Sequence, residues 1–110
     1  MSDDLWSWSA ADLARAIAAG QITSAEATTS ALARMDAVNP AINAVVIVDK
    51  DRARARALQA DAALAGRQHW GPLHGVPTHV KEAFDIEGLV TTFGDEDQRD
   101  NVASSDALAV

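Results

Sequence analysis

The 110-residue sequence contains no cysteine. That excludes a disulfide framework, a thiolate nucleophile and a cysteine-ligated zinc site. No apolar run approaches the ~18–20 residues that a membrane span needs, so no membrane partner is expected. The amino end carries Asp3 and Asp4 where a secretory signal would be basic, which points to a cytoplasmic protein. Large apolar side chains are scarce as well. The hydrophobic share is 48%, yet 24 of those residues are alanine, which favours helix but buries little area. The length suits one modest domain, whereas so thin a core suits a portion of a larger one.

Positive charge is also in deficit. The net charge is −7, and its distribution is uneven. Residues 1–81 hold eight basic and eight acidic side chains; residues 82–110 hold eight acidic ones and only Arg99. Phosphate binding needs a basic footprint, so nucleic acid is not an expected partner. The acidic stretch reads as a solvated loop.

The first two thirds read as helix, helix, strand, helix. Ser9 is placed to N-cap a helix with Asp12 near its positive end, and Gly20 closes it. Ala10, Leu13, Ala14, Ile17 and Ala18 form its apolar stripe. Thr23 and Glu26 have capping-box spacing for a second helix with Ala27, Ala31, Leu32 and Met35 inward, stopped at Asn39-Pro40. The two would form a helical hairpin. Ala44-Val45-Val46-Ile47-Val48 is a short β-branched run that suits a strand covered on both faces. A third helix is expected from Asp49 to about Ala65, closed by Gly66. Its Arg52, Arg54 and Arg56 point in different directions and read as solvated, some paired with Asp49 or Asp51.

The stretch Gly71-Pro72-Leu73-His74-Gly75-Val76-Pro77-Thr78-His79-Val80-Lys81 is different in kind. Pro72 and Gly75 mark turns, and Pro77 can begin a strand. Val76 to Phe84 then reads as a buried strand with a lysine inside it. Lysine occurs elsewhere only at Lys50, against seven arginines. Lys81 is therefore either a gatekeeper on an edge strand or a desolvated amine able to act as a base. The histidines at 69, 74 and 79 are interrupted by turn residues and share no face with a carboxylate cluster, so no metal site is expected.

These residues resemble the amidase-signature family. The likeness rests on Gly71-Pro72-Leu73-His74-Gly75-Val76-Pro77, Val80-Lys81, Phe84-Asp85, Gly88-Leu89 and Thr91-Thr92-Phe93-Gly94. Thr23-Ser24, Asn39-Pro40, Asn43-Ala44-Val45 and Asp106-Ala107 with Val110 fit it too, the last as the start of a helix. The resemblance implies an α/β layered fold with a mixed central sheet flanked by helices, of which this chain is the N-terminal part. Residues 1–66 would supply the helical hairpin, a strand and a covering helix. Residues 67–110 would begin the catalytic core with the lysine strand.

The family hydrolyses carbon–nitrogen amide bonds with a Ser–cis-Ser–Lys triad, so the resemblance makes Lys81 the base. It implies no cofactor and no metal. The partner would be a small-molecule amide in the full-length parent, with a homodimer as a further expectation. No Gly-Ser-Ser-Gly-like run occurs, and Ser104-Ser105 lacks flanking glycines, so both serines are expected beyond Val110. The chain alone would then be inactive. Glu82 stands where the family usually has Asp, and Asp95 where it commonly has Ser. Two other readings stay open: a non-catalytic binding or assembly module presenting Trp6 and Trp8, and the amidase subunit of a tRNA-dependent amidotransferase.

Overall fold

The computed structural model describes residues 4–110. They form two compact units, one running up to Ala44 together with Asp49–Pro77, the other of Val45–Val48 with Thr78–Val110. Asp3, part of the acidic amino end, lies outside the described residues.

The first unit is helical. It opens with a 3-10 turn, Leu5–Ser7, and continues through α1 (Ala10–Ala18), α2 (Ser24–Ile42) and α3 (Lys50–Ala65). Ser9 caps α1 by accepting the Asp12 N–H at 3.1 Å. At the other end Gly20, with φ +73°, lets its own N–H reach the Ile17 carbonyl while the Gln21 N–H reaches Ala16. These bonds close the helix as a Schellman motif. Of the expected stripe, Leu13 and Ile17 are buried and Ala16 joins them, while Ala10 and Ala18 are exposed.

The start of α2 carries the full capping box. Thr23 Oγ1 accepts the Glu26 N–H at 3.0 Å, and Glu26 Oε2 accepts the Thr23 N–H at 3.1 Å. Its end departs from expectation. Asn39-Pro40 does not stop the helix, which runs to Ile42 and closes on Asn43 in the left-handed region at φ 49°. Proline this near the C-terminus removes a single intrahelical bond, and asparagine tolerates the left-handed conformation that ends the turn. The pairing differs too. α2 packs mainly on α3 and on the Leu5–Ser7 turn, rather than forming a hairpin with α1. Trp6 fixes that turn: its backbone N–H donates to Ser30 Oγ at 3.0 Å, and the Arg34 guanidinium lies 4.2 Å over its ring.

The core is as thin as the alanine content implies. Leu5, Leu13, Ala16, Ile17, Ile22 and Ala27 form its centre, with Leu64 and Val76 packed against it. α3 buries only Ala57 and Ala60. Each fully buried Leu or Ile contributes roughly 1.5–3 kcal/mol, an alanine much less.

No strand forms among the described residues. The run Ala44–Val48 lies outside any ladder, with Val46, Ile47 and Val48 36–54% exposed. Residues 76–84 likewise pass through extended and turn conformations. A strand is defined by ladder pairing with a neighbouring segment, and among the described residues neither run enters a ladder. The only β pairing among the described residues is an antiparallel bridge between Val90 and Val102. Among the described residues no mixed central sheet is present, and residues 106–110 make a single turn rather than a helix start.

Candidate active site

Residues 71–77, which precede the Lys81 segment in the chain, belong to the first unit. His74 is buried at 5% exposure. Its Nδ1 accepts the backbone N–H of Trp70 at 2.9 Å, so Nε2 carries the proton and donates to the Ala60 carbonyl at 2.8 Å. Both ring nitrogens are thereby used within the protein. Gly75 follows at φ +77°, and its carbonyl accepts the Ser24 hydroxyl at 2.6 Å. Asp61, from the middle of α3, accepts the N–H groups of Ser24 and Ala25 at 2.7 and 3.1 Å. Sequence reasoning missed Asp61 because its partners lie 36 and 37 residues away and carry no local signature. His74 stood in the motif, but its structural bond to Ala60, 14 residues away, was not legible there. Trp70 was missed as well; the Arg56 guanidinium stacks 4.1 Å over its ring.

Lys81 belongs to the second unit. Its side chain is exposed, and its carbonyl accepts the Phe84 N–H at 3.0 Å in a turn. The burial expected of an amine inside an apolar strand is not supplied by this chain, since Val80 and Phe84 beside it are 38% and 45% exposed. The next residue is more constrained. Glu82 accepts the Thr92 N–H on Oε1 and the Thr92 hydroxyl on Oε2, the latter at 2.7 Å. The Thr92 oxygen accepts in turn from the Gly94 N–H at 3.2 Å. These bonds hold the Glu82 carboxyl below the ordinary glutamate value, the Thr92 hydroxyl first and its N–H second. Desolvation opposes them, and the Gly94 and Phe93 N–H groups add smaller effects.

Thr91 is buried at 2% exposure and is held through its backbone. Its N–H donates to the Asn101 carbonyl, and the Asn101 side-chain amide donates back to the Thr91 carbonyl, both at 2.9 Å. The Gly88 N–H donates to the Ala103 carbonyl and the Ala103 N–H to the Leu89 carbonyl. Asp106 Oδ1 accepts the Glu87 N–H at 2.8 Å. The paired threonines thus divide their work, Thr91 within the paired backbone and Thr92 on the carboxylate beside Lys81. Ser104 and Ser105 are exposed. Among the described residues no three His, Asp or Glu side chains converge as metal ligands, and no helix is long and apolar enough to cross a membrane.

Comparison with known proteins places these residues in context. A model of the Amidase family matches residues 26–110. The chain is 35% identical over 102 residues to an acylamidase of Rhodococcus erythropolis, covering 93% of this chain and 21% of that protein. It is 42% identical over 106 residues to an indoleacetamide hydrolase of Bradyrhizobium diazoefficiens, covering 96% and 20%. It is also 42% identical over 91 residues to one subunit of the glutamyl-tRNA(Gln) amidotransferase of Acidothermus cellulolyticus, covering 83% and 18%. A solved structure, described as a vestigial complex that reveals the origins of an s-triazine catabolic enzyme, superposes with a TM-score of 0.85 at 34% identity. The match covers 91% of this chain and 22% of the other. The chain therefore spans about a fifth of the length of these relatives.

Proposed function

The chain belongs to the amidase family, and on that premise we propose that it forms part of an enzyme hydrolysing carbon–nitrogen amide bonds, with Lys81 as the base. The observation that carries this reading is the family match over residues 26–110, which takes in the whole Gly71–Gly94 motif and its single lysine. In the proposed reaction the neutral Lys81 amine accepts a proton passed from a serine nucleophile through a second serine. The freed alkoxide attacks the amide carbonyl of a small-molecule substrate, and backbone N–H groups stabilise the tetrahedral oxyanion. The leaving amine departs with a proton, and water then cleaves the acyl-enzyme. Neither serine is assigned within residues 1–110. A cytoplasmic setting belongs to the same proposal.

The assembled enzyme would also hold the mixed sheet. The β-branched composition of Val45–Val48 and the exposure of Val46, Ile47 and Val48 support that reading, since elements packed on the faces of a sheet would cover them. So does the close superposition on a much longer chain.

The test replaces the matching segment of the indoleacetamide hydrolase with this chain and follows amide hydrolysis. The chimera is expected to turn over, and Lys81→Ala to lower kcat by about 10²- to 10⁴-fold, the usual contribution of a positioned base. An undiminished Lys81→Ala chimera would sink the assignment. The purified 110-residue chain is expected to show no turnover. The amidotransferase reading is kept by the 42% identity to a component of such an enzyme. It predicts ammonia delivered to an acceptor rather than released, which an ammonia-release assay separates.

A further inference from the structure

We propose that Glu82 is a positioning residue for Lys81: its carboxylate ties the backbone beside the lysine to the Thr92–Gly94 turn, so that the two segments move as one body. The proposal rests on the reading of Lys81 as the base. Its geometry is independent of that reading.

Glu82 makes two bonds to one residue ten positions away, one to the N–H and one to the hydroxyl of Thr92. Such a two-point grip fixes orientation as well as distance. The turn it holds is one that needs holding. Phe93 and Gly94 are consecutive left-handed residues, at φ 55° and 76°. In that turn the Phe93 and Gly94 N–H groups face the Glu82 carboxylate and add to its stabilisation as an anion. A phenylalanine adopts the left-handed conformation reluctantly, and the Phe93 ring, 61% exposed, gains little burial in return. The Glu82 carboxylate is the group that supplies the missing stabilisation. It is also the residue directly bonded to Lys81, so displacing the turn displaces the peptide between them. An aspartate, one methylene shorter, would reach both Thr92 donors only if the backbone moved.

The experiment follows amide resonances of the 110-residue chain against pH. Lys81, Ala83 and Thr92–Gly94 are expected to shift together, with one midpoint below the ordinary glutamate value of 4.5. Glu82→Gln should abolish that joint titration and move the Lys81 amide along with the Thr92 amide. Thr92→Val should raise the midpoint. In the chimera Glu82→Gln is expected to lower kcat by about 10- to 100-fold with little change in KM, as a misplaced base does, and Glu82→Asp to recover part of the loss. A Lys81 amide indifferent to Glu82→Gln, or a Glu82 midpoint at the ordinary value, overturns the proposal whatever the chimera does. A joint titration that holds beside a fully active Lys81→Ala chimera overturns the role of Lys81 instead.

Discussion

Gly75 shows at the residue scale how closely the family motif packs within the first unit. A Cβ there would sit 3.0 Å from Ser24 Cβ, 3.2 Å from Ser24 Oγ and 3.3 Å from Ile17 Cγ2, in a left-handed backbone that side chains resist. Gly75→Ala is expected to destabilise the chain by about 1–3 kcal/mol through overpacking, read from urea denaturation. Glu82 sets a second residue-scale expectation. Its folded value lies below its unfolded one, so its bonds add stability above the unfolded value that is lost as pH falls through the lowered one. Acid titration of the wild type should therefore show a destabilising step below pH 4.5 that Glu82→Gln lacks; a step that persists in the variant refutes it.

Among the elements, α2 has the most complete terminus. Its first three N–H groups are taken by Asp61, Asp61 and Thr23 in turn, so side chains from two places in the chain serve one helix start. The capping box was legible because Thr23 and Glu26 are three residues apart; the Asp61 contact was not, because it exists only once α3 lies beside α2. Asp61→Ala is expected to cost about 1–2 kcal/mol, the range of a lost cap, and Asp61→Asn less, since one acceptor remains. Equal thermal shifts for the two variants would contradict that account. The salt bridge from Lys50 to Asp36, at 2.7 Å and partly solvated, also joins these helices but contributes only about 0.2–1 kcal/mol.

For the whole molecule, the two units differ in what holds them. The first has three helices around a small apolar centre; the second rests on turns, one bridge and the Glu82 and Asn101 contacts, with Ala103 its buried apolar residue. Hydrogen exchange should therefore protect amides within α2 and α3 well above those of residues 78–110, because local opening is least costly where few apolar groups are buried. Uniform protection across both units would refute this. The exposed Val46, Ile47, Phe84 and Phe93 are the side chains the proposed larger enzyme would cover.

The sequence by itself determined the three helices, the Ser9 cap, the Thr23–Glu26 capping box and the Gly20 closure, the thinness of the core and the segment that carries the family motif. Each of these depends on residues a few positions apart, whose propensities and hydrogen bonds act locally. Asp49, by contrast, makes no side-chain cap on α3, and Asn39-Pro40 does not stop α2. The tertiary structure decided what pairs with what. It set α2 against α3, carried Asp61 to a helix start 37 residues away in sequence, buried His74 and closed Glu82 on Thr92. It also left Val45–Val48 and the Lys81 segment outside a sheet. A β-branched run states its preference for a strand, but ladder hydrogen bonds require a second chain segment at the right distance, and that condition is not written in the run itself.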